Sequence, residues 1–117
     1  MSALLEKISD LNNLVLHGKG MDAFEKYYHD DVVMQESGNS PIIGKEANRR
    51  RGLEFFSNVM ELSEACVIKV AAGEGFTMVQ WSYNYTHKEF VIRNYIQVSI
   101  QEWNDGKIIK ERFFYGN

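Results

Sequence analysis

The sequence predicts an α+β domain: three N-terminal helices, then an antiparallel sheet that carries the helices on one face. Apolar residues recur at helical spacing up to about Leu62, and beyond it the pattern alternates with a period of two. The alternating half divides into runs that each end in turn-forming residues, the pattern of consecutive hairpins.

Leu4, Leu5, Ile8, Leu11, Leu14 and Val15 place a helix over the first 17 residues. Ser2 is its candidate cap, and Gly18 and Gly20 supply the stop. A second helix is expected from Met21 to His29, with Met21, Phe24, Tyr27 and Tyr28 on one side and Asp22 near its N-terminus. Val32 to Glu36 reads as a short strand. Ser37-Gly38-Asn39-Ser40-Pro41 is turn-rich, and Gly44 opens a third helix expected to reach about Glu61. Ala47, Phe55, Phe56, Val59 and Met60 would form its apolar stripe. Four strands are expected over Ala65–Ala72, Phe76–Lys88, Phe90–Trp103 and Lys107–Tyr115. Gly73-Glu74-Gly75, His87-Lys88-Glu89 and Asn104-Asp105-Gly106 are the turns between them.

In the run from Phe76, the odd positions Val79, Trp81, Tyr83 and Tyr85 are apolar or aromatic, so that face is the buried one. The next run has apolar residues on both faces. Ile92, Ile96, Val98 and Ile100 alternate with Arg93, Tyr95, Gln97, Ser99, Gln101 and Trp103. Either the polar-aromatic row lines a pocket and the aliphatic row meets a second subunit, or the aliphatic row is the core. Periodicity alone leaves both open.

A length of 117 residues fits one domain, 1–117, with a core and room for a pocket. A net charge of −3 excludes a globally basic nucleic-acid binder. No apolar run reaches the roughly 18 residues of a membrane span, and the N-terminus lacks an apolar signal core. Cys66 is the only cysteine, which excludes an intrachain disulfide and fits a reducing cytoplasm. There is no HExxH, CxxC or other metal-ligand spacing, so neither metal nor cofactor is expected. Cys66 itself is expected to be a small buried hydrophobe. His17 and His29 are expected to cap helix C-termini, and Arg49-Arg50-Arg51 to be solvated.

The segment Tyr28-His29-Asp30-Asp31-Val32-Val33-Met34-Gln35-Glu36-Ser37, followed by Ile42-Ile43-Gly44-Lys45-Glu46-Ala47, resembles the nuclear transport factor 2 and SnoaL-like polyketide cyclase superfamily. The closing Trp103-Asn104-Asp105-Gly106-Lys107-Ile108 is similar to its final hairpin. The resemblance spans nearly the whole chain. It implies a cone, in which a strongly bent antiparallel sheet wraps three helices and leaves a pocket open at one end. It also implies a homodimer through the outer sheet face, here Ile92, Ile96, Val98 and Ile100.

The implied pocket would bind a small apolar or aromatic ligand. Tyr28, Trp81, Tyr83, Arg93, Tyr95, Gln97, Ser99, Phe113 and Tyr115 are the candidate ligand-binding residues. Glu36, at the mouth, matches the general base of the family's steroid isomerases. Glu111 matches the acid that the related cyclases carry on their last strands. These two are the candidate catalytic residues, for proton abstraction beside a carbonyl. The isomerases' other polar partners correspond to Leu11 and Ser99, so steroid isomerase activity is not expected. Arg93 facing Glu111 would form an ion pair and suit recognition of a carboxylate or enolate. A non-catalytic ligand-binding or protein-association module is the other reading of the same residues.

Overall fold

The computed structural model of the chain describes residues 3–87 and 92–116, with side chains over 3–55, 65–84 and 94–115. In order, the elements are α1 (Ala3–Leu16), α2 (Gly20–Tyr27), β1 (Tyr28–Glu36), β2 (Ile42–Ile43), α3 (Lys45–Asn58), β3 (Val59–Gly73), β4 (Phe76–His87), β5 (Ile92–Asn104) and β6 (Lys107–Gly116). The architecture is the α+β arrangement the sequence predicts. All the strands belong to one sheet of order β2-β1-β6-β5-β4-β3, open at the β2 and β3 edges.

β3 to β6 form the expected antiparallel meander. The sheet as a whole is mixed, because β1 runs parallel to β6. A parallel neighbour needs a long crossover, and α3 with the intervening strands supplies it. Register shifts interrupt β3 at three places and β5 at Glu102/Trp103. Each such irregularity bends its strand and adds local twist.

Helix ends follow local chemistry. Gly18 takes φ +76°, and the Lys19 N–H donates to Leu14 O at 2.8 Å, closing α1 as a Schellman turn. Ser2, the expected cap, lies outside the described residues. α2 stops before Tyr28, which is already extended at φ −97°, ψ 133° while its N–H still bonds Phe24 O. β1 therefore begins four residues earlier than expected. α3 ends at Asn58, and Val59 pairs with His87, so Val59 and Met60 belong to β3. There the gain from β pairing at a branched residue overrides the helical spacing. The two-residue β2 has no periodic signature at all.

Of the expected apolar stripe of α3, only Ala47 and Phe55 have described side chains. Ala47 is half-buried, Phe55 is exposed, and the Phe56 side chain lies outside those described. Among the described side chains of α3 the buried one is Asn48, whose amide donates to Gly44 O at 2.8 Å and Ile42 O at 3.0 Å. Gly44, at φ +94°, makes the turn that lets this happen. Charge fixes α3 from the other side, where Arg49 clamps Glu25 of α2 at 2.6 and 2.9 Å. α1 and α2 are joined at Asp10, which accepts from Tyr27 and pairs with Lys26 at 2.8 Å.

The core draws Ile8 and Leu11 from α1, Phe24 and Tyr27 from α2, Tyr28 and Val32 from β1, Val79 and Trp81 from β4, with Trp103 and Ile108. Burying a side chain such as Ile8 or Val79 contributes about 2 kcal/mol. The odd face of β4 points inward, as its pattern predicts. On β5 the polar-aromatic row Gln97, Ser99, Gln101 and Trp103 is the buried one, while Ile96 is 38% exposed on the other face. The aliphatic row is therefore not the core: on β5 the polar and aromatic groups lie on the core side and the aliphatic ones on the other.

Candidate functional site

Strand register arranges the inner face as a grid. Thr77, Gln101, Glu111 and Met34 lie side by side across β4, β5, β6 and β1. Val79, Ser99, Phe113 and Glu36 form the next row. Trp81, Gln97 and Tyr115 form the third, and Tyr83 faces Tyr95 in the fourth. Side chains two apart on a strand share a face, so parity alone brings nearly every candidate residue onto one surface.

At the deep end, Glu111 is 3% exposed. The Tyr28 hydroxyl donates to its Oε1, and the Gln101 amide donates to its Oε2 at 2.7 Å. Gln101 also donates to Ser99 Oγ at 2.9 Å and accepts from Thr77 Oγ1 at 2.7 Å. Thr77 in turn accepts from the Trp103 indole at 2.9 Å. The result is a continuous buried chain from Trp103 to Tyr28. Burial pushes the Glu111 carboxyl up to about 7, against the pull of the Tyr28 and Gln101 donors. Burial, then the facing Glu111 charge, holds the Tyr28 hydroxyl well above the usual phenol range.

At the other end, Glu36 accepts from the Tyr115 hydroxyl at 2.9 Å and pairs with Arg51 at 2.7 Å. Burial raises the Tyr115 hydroxyl above its ordinary value, helped by the Glu36 charge, while a hydrogen bond from Gln97 works against both. Beyond Glu36, in the third and fourth rows, runs an aromatic series. Trp81 and Tyr83 stack at 5.3 Å, Tyr83 meets Tyr95 at 5.6 Å, and Tyr95 meets Tyr115 edge-on at 5.1 Å. A surface depression of about 190 Å³ shares Tyr28 with this site and is otherwise lined by His29, Asp30, Lys45 and Lys107, and one of about 240 Å³ lies away from it against residues 18–22.

Several expectations are corrected. The Arg93 side chain lies outside those described, but register separates its backbone from Glu111. Gln101 faces Glu111, and Arg93 is eight residues further along β5, roughly 26 Å away. That exceeds an arginine's reach, so the expected ion pair does not form. Glu111 has neutral donors instead, and its pKa is raised rather than lowered. His29 lies within β1 rather than at a helix end, and its Nδ1 accepts from the Asp31 N–H at 2.9 Å. His17 does cap α1, at 2.6 Å from Asn13 O. Cys66 is exposed: it alternates with Ala65 and Val67, which pack on the core, and so falls on the outer face opposite Ser82.

Arg51, Gln101, Thr77 and Trp103 were not among the candidate residues, yet they complete the two ends. For Gln101, Thr77 and Trp103 the parity of their strands was the available signal. Arg51 had a fainter one: it follows Asn48 by three residues, so both sit on the α3 face turned to β1. Among the described residues, no group of three or more His, Cys, Asp or Glu could hold a metal ion. No described helix is long and apolar enough to cross a membrane.

The SnoaL-like domain family matches residues 5–115, and the chain belongs to that family. Among solved structures, it is similar to a protein from Mesorhizobium loti described as a SnoaL-like polyketide cyclase. The TM-score is 0.87 at 24% identity, covering 97% of this chain and 100% of the other. An NTF2-like protein of unknown function from Burkholderia pseudomallei superposes with TM-score 0.84 at 9% identity, covering 99% and 92%. An LEH-like epoxide hydrolase from Mycobacterium tuberculosis gives 0.77 at 16%, covering 95% and 80%. At these identities the likeness establishes the fold. The comparison with curated proteins finds no match.

Proposed function

We propose that this SnoaL-like domain binds a small apolar or aromatic molecule over its inner sheet face and transfers a proton beside a carbonyl of that ligand. Trp81, Tyr83, Tyr95 and Tyr115 hold the rings, with Phe113 beneath, and Gln97 and Ser99 offer hydrogen bonds. Glu111 is the proton-transfer group. The observation that carries this is a buried carboxyl in the ligand face whose pKa sits near 7. Such a group is present in both acid and base forms at neutral pH, as general acid–base work requires. Tyr28 and Gln101 fix its two oxygens. Glu36 is engaged by Arg51 and Tyr115, which suits it to shaping the mouth. A second copy of the chain covers the outer face, and the single cysteine favours a cytoplasmic setting.

A non-catalytic binding module is the second reading, supported by the same carboxyl: both Glu111 oxygens already have protein donors. Proton exchange separates the two. β-Tetralone, a fused-ring ketone, loses its α-proton to a base and regains deuterium from D₂O, which proton NMR follows directly. Wild type should accelerate exchange, and Glu111→Gln should lose at least about 100-fold of that acceleration while still binding the ketone. Binding without any acceleration by wild type would give the site to the non-catalytic reading.

A further inference from the structure

α1 contributes a polar residue to its apolar face. Asn12 is 4% exposed, and its Oδ1 is buried without a hydrogen-bond partner. A buried polar atom left unsatisfied costs about 1–3 kcal/mol, and among the described side chains only Arg112 Nε shares this condition. An apolar residue would be cheaper at position 12 if packing were its only role.

The side of α1 on which Asn12 lies can be worked out. Asp10 faces α2, where it meets Lys26 and Tyr27. Asn12 is two residues on, about 200° round the helix, and so is turned away from α2. Besides α2, α1 packs on β3 and β4. Those strands bring Val67, Val79, Trp81 and Tyr83 to the core. Asn12 is therefore buried on the side of α1 that meets the sheet, over the strand that starts the aromatic series.

We infer that Asn12 is the polar anchor of the ligand site, and that its Oδ1 accepts a hydrogen bond from a hydroxyl or N–H on a ring-bearing ligand. The inference rests on the binding reading above and narrows the ligand class to apolar or aromatic rings with one donor. Aromatic walls give shape without direction, whereas one buried acceptor fixes the orientation of a bound ring. A ligand lacking the donor leaves the amide unsatisfied and binds more weakly.

The test uses β-naphthol and its methyl ether, two probes of like shape that differ in one donor. Titration followed through the Trp81 indole resonance should give wild type a dissociation constant roughly tenfold lower for β-naphthol. Asn12→Leu should bring the two constants together without weakening the ether, and should raise Tm because the unsatisfied amide is gone. Asn12→Ser provides a second variant and should reduce the ratio as well. Wild type binding both probes equally, or a ratio that survives in both variants, overturns the role of Asn12 alone. Wild type binding neither probe overturns it together with the binding reading.

Discussion

The hydroxyl of Tyr28 on β1 donates to Oε1 of Glu111 on β6, joining residues 83 apart in the chain. The strands are parallel there, and their register slips between Tyr28 and Val33, where β1 uses five residues against two of β6. Slack of this kind re-aims a side chain, and the one re-aimed is a phenol facing a buried carboxyl. Two donors and one burial penalty therefore compete at Glu111. Burial wins, which makes the acid unusual and sensitive to its partners.

Removing one donor should tip that competition further. Tyr28→Phe keeps the ring in its stack on Phe24 at 4.8 Å and deletes only the hydroxyl. The Glu111 carboxyl should then titrate higher than the wild-type value of about 7. Carbon-13 NMR of the carboxyl, assigned by the signal missing in Glu111→Gln, measures this directly. An unchanged titration would mean that Tyr28 does not donate to Glu111 in solution.

The same shift sets a pH dependence of stability. The reference carboxyl titrates at 4.5 and the folded one at about 7. Between these values the folded protein holds a proton that the unfolded chain has released. Glu111 thus favours folding fully below pH 4.5, and this contribution is lost as pH rises through about 7. At about 1.4 kcal/mol per unit the swing is about 3 kcal/mol. Asp10 and Glu25 are held low, by Lys26 and Arg49 respectively, and push the opposite way, but they are exposed pairs that solvent screens. Urea unfolding of wild type and Glu111→Gln across this range cancels them. The difference curve should fall with rising pH, and a flat curve would place Glu111 in contact with solvent.

The sequence carried the strands and their faces because period-two alternation reports which side of a strand is buried. That parity gathers Trp81, Tyr83, Gln97, Ser99 and Tyr115 on matching faces of their strands, but it was the family resemblance, not parity, that put this face and Glu111 inside. Neither could reveal what Glu111 touches. Tyr28 reads as a helical residue beside Phe24 and Tyr27, and only the parallel β1–β6 pairing brings it to the last strand. Arg93 fails for a related reason: parity gives the face but not the distance along the strand. Helix ends were lost where local spacing and tertiary pairing disagree, as at Val59. Cys66 is exposed because alternation with the core-packed Ala65 and Val67 turns it outward, against the general preference of cysteine for burial on which the expectation rested.

The outer face makes its own prediction. Ile96, Val98 and Ile100 run along β5, with Phe114 opposite Val98 and Met78 opposite Ile100. Ile96 and Phe114 remain 38% and 39% exposed, and the Arg112 guanidinium lies over the Phe114 ring at 5.7 Å. Ile92, the fourth aliphatic residue of the expected interface, has its side chain outside those described. A contiguous apolar row at the centre of a sheet is what a two-fold related copy can cover, since the same patch then meets itself. In such an isologous interface each substitution acts twice, so Ile96→Lys with Ile100→Lys places four like charges in one contact. Sedimentation velocity should show a dimer for wild type and a monomer for the double variant, with circular dichroism unchanged. A wild-type monomer at tens of micromolar would remove the second copy from the proposed assembly. The aromatic inner face would keep its own test, because its residues lie on the opposite side of the same strands.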